Sequence, residues 1–165
     1  MIQTLRKHHF HEEASAVLAA GMDEVFGYLD DHRSLAGHMG SRSSPMMGGG
    51  EMSLELDAGG GREVGSRIRM GGTAFGLRLF VDEVVVERIP PRSKTWQTVE
   101  EHLVVIGDYA MGFRIDPHPD GCALTVWIGY DRPERNRWLG VIGGRMYARW
   151  CVRQMRDTAV ARFTG

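Results

Sequence analysis

Cysteine is scarce in this chain, with Cys122 and Cys151 the only two among 165 residues. One bridge is the most they can form, so no disulfide framework holds the fold, and thiols in a reducing cytosol are the expected state. A chain of this length buries a core without such staples, and residues 1–165 read as one domain. Neither sign of charge is in excess, since twenty basic residues stand against twenty-one acidic ones. With a net charge of −1, no overall field recruits DNA, RNA or anionic lipid, and nucleic acid is not an expected partner. Long apolar runs are missing too. The opening MIQTLRKHHFHEE turns charged before a signal peptide could form, and no stretch reaches the length of a membrane span. A cytoplasmic protein without stable membrane insertion is expected. Proline is sparse, whereas glycine runs at residues 48–50 and 59–61 suit a sheet with tight connections.

Several chemistries are also missing. There is no G-x-S-x-G, and neither cysteine lies beside a suggestive histidine. The glycine clusters lack the lysine and Ser/Thr of a P-loop, and no G-x-G-x-x-G opens a helix after a strand, so no nucleotide cofactor is implied. His8, His9 and His11 invite a metal, because His9 and His11 share a strand face, but spacing places no third ligand and none is expected. The carboxylate pairs Asp82-Glu83 and Glu100-Glu101 occupy neighbouring strand positions and so point to opposite faces.

What is present is a period-two pattern over most of the chain. Residues 8–18 set Phe10, Ala14, Ala16 and Leu18 against His9, His11, Glu13 and Ser15, which predicts a first strand. Met22, Val25, Phe26 and Leu29 then fit a short helix, and residues 32–39 a second, with Leu35 and Met39 inward. Residues 40–50 read as a loop whose Met46 and Met47 either pack on a neighbouring helix or form a lid. Strands follow in series. Residues 51–57 turn Met52, Leu54 and Leu56 inward, and residues 64–75 set Ser66, Ile68 and Met70 against Arg67 and Arg69, with Gly71-Gly72 a bulge or bend. Residues 77–89 are ambiguous. One face carries Val81, Glu83 and Val85, the other Asp82, Val84 and Val86, and a central bulge would reconcile them. Residues 94–99 hold Trp96. Residues 103–116 turn Val105, Tyr109, Met111, Phe113 and Ile115 inward, and residues 122–131 do so with Cys122, Leu124, Val126, Ile128 and Tyr130. Finally, residues 143–163 place Tyr147, Ala148, Cys151, Val152, Met155, Thr158 and Ala159 on one helical stripe, with Arg145, Arg149, Arg153 and Arg156 turned away. An antiparallel sheet curled around this long terminal helix buries both.

That order of elements resembles the START-like superfamily, also called SRPBCC or Bet v 1-like, and more narrowly its polyketide cyclase/dehydrase and lipid-transport-like branch. The resemblance covers nearly the whole chain and is carried by AAGMDEVFGYLD at residues 19–30, GLRLFVDEVVVERIPP at 76–91, the wording of residues 107–113 and MYARWCVRQM at 146–155. It departs at His38, where relatives often have tryptophan. The resemblance implies an α+β helix-grip fold: a curved antiparallel sheet of about seven strands around the C-terminal helix, with two short helices after the first strand. It also implies a cavity between sheet and helix for an apolar or aromatic molecule. Alternation supplies its candidate lining: Leu54, Ile68, Met70, Trp96, Tyr109, Met111, Phe113, Leu124, Val126, Ile128 and Tyr130, closed by Tyr147, Cys151 and Met155. A close-packed core would be built from the same residues.

Three functions fit. The first is binding of a hydrophobic small molecule, lipid- or polyketide-like, without metal or cofactor. A second is a cyclase or dehydratase in the same cavity, with Tyr109, Tyr130 or Glu83 moving the proton. The third is an interaction module with a filled core. A converging acidic or tyrosine pair in an open cavity favours the enzyme, and a wholly apolar cavity the carrier. The sequence leaves the oligomeric state open.

Overall fold

A computed structural model describes residues 4–33, 52–74, 77–135 and 137–164. The second predicted helix, apart from His32 and Arg33, lies outside them, as do His38 and the loop with Met46 and Met47.

Seven strands form one antiparallel sheet: β1 (Phe10–Leu18), β2 (Met52–Leu56), β3 (Arg67–Ala74), β4 (Leu77–Ile89), β5 (Ser93–His102), β6 (Tyr109–His118) and β7 (Gly121–Tyr130). Their order is β1-β7-β6-β5-β4-β3-β2, so the chain closes by bringing its first strand beside its last. Helix α1 (Met22–Asp30) follows β1, and helix α2 (Arg145–Thr164) ends the fold. Alternation works as read in β1, where Ala14 and Leu18 are buried and Phe10 and Ala16 half-buried between exposed His11, Glu13 and Ser15. The fifth inward side chain is Glu12. Its carboxylate accepts from Arg145 at 2.9 Å and Arg149 at 3.2 Å, tying α2 to the strand it crosses.

Two expectations about the sheet are corrected. Gly71 and Gly72 make no bulge, since they pair in unbroken register with Ser53 and Met52 on one side and Phe80 and Leu79 on the other. Residues 103–108 are not strand. Gly107 N donates to Asp131 O and Asp131 N to Asp108 O, so this segment is bound to the end of β7 and β6 begins only at Tyr109. Val105 consequently lies in a loop against the entry to α2.

The ambiguity of β4 is resolved by two register shifts against β5, at Asp82/Glu83 and Val85/Glu87. Val81 and Val85 belong to the inner core, and Glu83 is 1% exposed. Past the second shift Glu87 is exposed and Arg88 turns inward. There Arg88 donates twice to Asp30 at the end of α1, at 3.1 and 2.8 Å. Lys94 Nζ, fully buried, donates to the same carboxylate at 2.8 Å and to the Asp30 carbonyl at 3.1 Å. Burial acts to raise the Asp30 pKa, but the hydrogen bonds from Arg88 and Lys94 outweigh it and hold the carboxyl low. This ion cluster fixes α1, whose Val25, Phe26 and Leu29 bury against the sheet and whose Phe26 meets Phe113 edge-on.

Before α2 comes a helical turn at Arg137–Leu139 and a π-helical segment at Gly140–Gly144. Gly143 and Gly144 end that wider segment. Glycine is required because the backbone lies on its neighbours: a Cβ on Gly140 would meet Pro133 Cδ at 2.7 Å, and one on Gly144 would meet Val105 O at 3.0 Å. Along α2 the predicted stripe divides. Ala148, Val152 and Ala159 are buried on the sheet, while Tyr147, Cys151, Met155 and Thr158 are half-buried.

Candidate functional site

The half-buried side of that stripe faces a cavity of about 120 Å3 between α2 and the sheet. It exists because the small residues Ala148 and Ala159 seat α2 closely on β1 and β7, while the sheet curves away toward β2 and β3. Of the expected lining, Leu54, Met70, Trp96, Tyr109, Met111, Ile128, Tyr147, Cys151 and Met155 form its wall. Ile68, Phe113, Leu124, Val126 and Tyr130 belong to the packed core and do not. Tyr130 instead stacks on Phe10 at 5.4 Å. Sequence reasoning did not place His32, Val81, Leu103, Ile106, Trp150, Gln154 or Thr158 in the lining. Val81 and Thr158 had the right facing. Trp150 and Gln154 flank the stripe, and Leu103 and Ile106 come from the segment read as strand.

The wall is mostly apolar, and one carboxylate enters it. Glu83 Oε2 accepts a hydrogen bond from the Tyr109 hydroxyl. Glu83 Oε1 is buried and no described donor reaches it in good hydrogen-bond geometry, the Trp96 side chain making only a weak approach to the carboxylate. Burial pushes the Glu83 pKa up to about 7, opposed by the Tyr109 hydrogen bond, raised further by Asp82 and lowered by the Trp96 side chain. Burial and the Glu83 charge together drive the Tyr109 pKa well above its ordinary value, so the proton of the pair stays on the phenol. Asp82, on the opposite face as neighbouring strand positions require, is engaged by Arg67. Of the three candidate proton carriers, Glu83 and Tyr109 thus converge and Tyr130 stands apart.

Two further groups border the cavity. His32 packs edge-on against Trp96 with ring centroids 4.9 Å apart, and its buried Nε2 has no partner among the described residues. Burial and then the Lys94 charge lower its pKa to about 3, so the ring is neutral. Cys151 lies one turn from Tyr147. Burial pushes its thiol up to about 12, which makes it an apolar wall group rather than a nucleophile.

His9 and His11 do not converge. His9 reaches Asp131 at 2.7 Å, while His11 reaches Glu13 at 3.1 Å and stacks on Trp127. Tertiary structure instead brings His8, Asp108 and Asp131 together, with ligand atoms within 4.8 Å of one another. Both carboxylates are already engaged, Asp108 by Arg6 at 3.1 Å and by Thr98, and Asp131 by the His9 backbone at 2.9 Å. With a guanidinium beside it, the cluster works as a clamp that ties residues 6–9 to the start of β6 and the end of β7.

Sheet, gripped helix and the cavity between them define a helix-grip protein of the START-like (SRPBCC) class. The chain belongs to the family described as polyketide cyclase / dehydrase and lipid transport, whose model matches residues 9–164. Among solved structures it is similar to the di-domain ARO/CYC StfQ of the steffimycin biosynthetic pathway, with a TM-score of 0.66 at 16% identity, over 93% of this chain and 50% of that one. It is also similar to protein CV1439 of Chromobacterium violaceum, with a TM-score of 0.64 at 18% identity, over 94% and 97% of the two chains. Ginseng major latex-like protein 151 from Panax ginseng gives a TM-score of 0.60 at 14% identity over 94% and 98%. At these identities the likeness is one of fold. No curated protein matches the chain. Among the described residues, no helix is long and apolar enough to cross a membrane.

Proposed function

We propose that this is a single-domain helix-grip protein that binds a hydrophobic or aromatic small molecule in the cavity between sheet and α2, oriented by Glu83. The observation that carries this reading is a buried carboxylate oxygen left without a well-placed partner in a mostly apolar cavity. A buried polar atom without a partner is costly, and a ligand bearing a hydrogen-bond donor relieves that cost. Size agrees, because an apolar cavity of about 150 Å3 holds benzene. The cavity therefore suits one aromatic ring, or a comparable part of a longer molecule, with a hydroxyl or other donor aimed at Oε1. Two free cysteines, one in the cavity wall, suit a reducing cytosol.

A second reading is favoured by the convergence of Glu83 and Tyr109. A carboxyl with a pKa of about 7 is poised to take and return a proton near neutral pH, as a cyclase or dehydratase acting on an aromatic or polyketide-like substrate requires. Tyr109 would then hold Glu83 in position and share the developing charge. The filled-core interaction module has less support, since a cavity is present.

The test is native mass spectrometry of protein from its own host, with denaturing extraction of anything bound, followed by thermal-shift titration with simple phenols, matched benzenes and fatty acids. A bound apolar or aromatic compound, and a shift by phenols that exceeds the shift by matched benzenes and is weakened in Glu83→Gln, support the reading. An empty protein that none of the panel stabilises overturns it. Turnover of the compound, lost in Glu83→Gln while binding persists, would establish the second reading.

A further inference from the structure

Residues 132–165 contain eight arginines, no lysine and only two acidic residues, Glu134 and Asp157. The preceding 131 residues carry twelve basic and nineteen acidic ones, so the near-zero net charge conceals a strongly positive C-terminal segment. The apolar surface is concentrated in the same place. Trp138, Val141, Ile142 and Met146 are 59–72% exposed, four of the nine large apolar side chains left in solvent among the described residues. Their spacing is that of one helical face continued through the π-helical segment. The glycines of that segment turn inward onto Val105 and Pro133, leaving the face no way to bury its large side chains in the protein.

Val141, Ile142, Met146 and Trp150 share a shallow surface depression with Arg145, Arg149 and Arg153. Arg145 and Arg149 are tied back to Glu12, whereas Arg137 and Arg153 make no ion pair among the described residues. Trp150 and Gln154 line both this depression and the interior cavity, so two side chains separate the outer face from the ligand space.

We propose that this face docks on an anionic lipid surface, with Trp138, Val141, Ile142 and Met146 entering the headgroup region and the arginines on the lipid phosphates. Exposed aliphatic and tryptophan side chains flanked by arginine match a helix lying in the membrane interface. A second copy of the chain fits poorly, because a two-fold contact through this face would set arginine against arginine. Nucleic acid accounts for the arginines but leaves four exposed apolar side chains without a partner. On a membrane the cavity wall formed by Trp150 and Gln154 faces the bilayer, the place from which an apolar ligand exchanges. The docking itself does not depend on what the cavity holds.

The test is co-sedimentation of the intact protein with vesicles of phosphatidylcholine alone and of phosphatidylcholine mixed with phosphatidylglycerol. Binding is expected to the anionic vesicles only and to fall with added salt. Ile142→Asp and Arg153→Glu should each weaken it about tenfold or more, with unchanged melting temperatures because both side chains are exposed. A blue shift of tryptophan emission on vesicle binding, lost in Trp138→Phe, reads insertion in a protein whose charge is untouched. Absence of binding, equal binding to both compositions, or undiminished binding by Ile142→Asp overturns the proposal. So does a dimer in sedimentation velocity, or a DNA complex, that forms without vesicle binding and dissolves in Ile142→Asp.

Discussion

Glu83 holds two roles that pull against each other. Its folded-state pKa of about 7 lies above the ordinary value of 4.5, so between those values the folded protein holds more protons than the unfolded chain. Stability contributed by the neutral carboxyl is fully present below pH 4.5 and is lost as pH rises through 7. Glu83→Gln should therefore be more stable than the parent at pH 8, by about 3 kcal/mol, and the gain should vanish near pH 4. Urea denaturation at the two pH values measures this, and a gain independent of pH would mean that Glu83 is not the titrating group. Ligand orientation should follow the same titration. A phenol donates to the carboxylate above pH 7, while below it the protonated Glu83 donates itself, so the Kd for a phenol should change across neutrality in the parent and stay flat in Glu83→Gln.

Asp30 behaves in the opposite sense. Its folded pKa lies below 3.8, so its contribution is present above that value and is lost as pH falls through the folded pKa. Asp30→Asn leaves Lys94 as a buried and poorly compensated charge, with an expected loss of about 3–5 kcal/mol at pH 7. Adding Lys94→Met to that variant should recover part of the loss. A double variant no more stable than the single one would show that Lys94 stays solvated when Asp30 is neutral.

At the scale of the element, α2 is two faces with different tolerances. Val152 is 1% exposed on the sheet side, so Val152→Asp should destabilise by about 3–5 kcal/mol. Met155 sits on the same stripe but lines the cavity and is half-buried. Met155→Arg can extend its guanidinium along the cavity toward solvent, and about 1–2 kcal/mol is expected. Equal losses in chemical denaturation would mean that the cavity side is packed as tightly as the sheet side. The glycines ahead of α2 are the other sensitive point. Gly140→Ala places its Cβ against Pro133 and Val105, with an expected cost of about 1–3 kcal/mol from the overpacking.

For the whole molecule, the inner faces of β1, β2, β6 and β7 were legible because alternation reports facing one residue at a time. Nine of the fourteen residues expected in the lining form the cavity wall, six of them placed by strand alternation and Tyr147, Cys151 and Met155 by the helical period of α2. Ile68, Phe113, Leu124, Val126 and Tyr130 face inward equally well, but alternation cannot say whether an inward side chain meets another side chain or empty space. Residues 103–108 misled because Leu103, Val105 and Gly107 alternate plausibly, while the bonds that hold them run to Asp131, far along the chain. Net charge misled in another way. A sum over 165 residues removed the contrast between the arginine-rich end and the acidic remainder.

The order of elements, the sidedness of the regular strands and the stripe of α2 are written in the sequence alone, because each depends on backbone geometry repeating over neighbouring residues. The shifts that turn both Glu83 and Arg88 inward, the meeting of Glu83 with Tyr109, the ion cluster at Asp30 and the exposure of Trp138 through Met146 were decided only by the tertiary structure. Each depends on which strand pairs with which and in what register, on partners as far as 26 to 64 positions apart, or on what packing leaves uncovered. No local period records either.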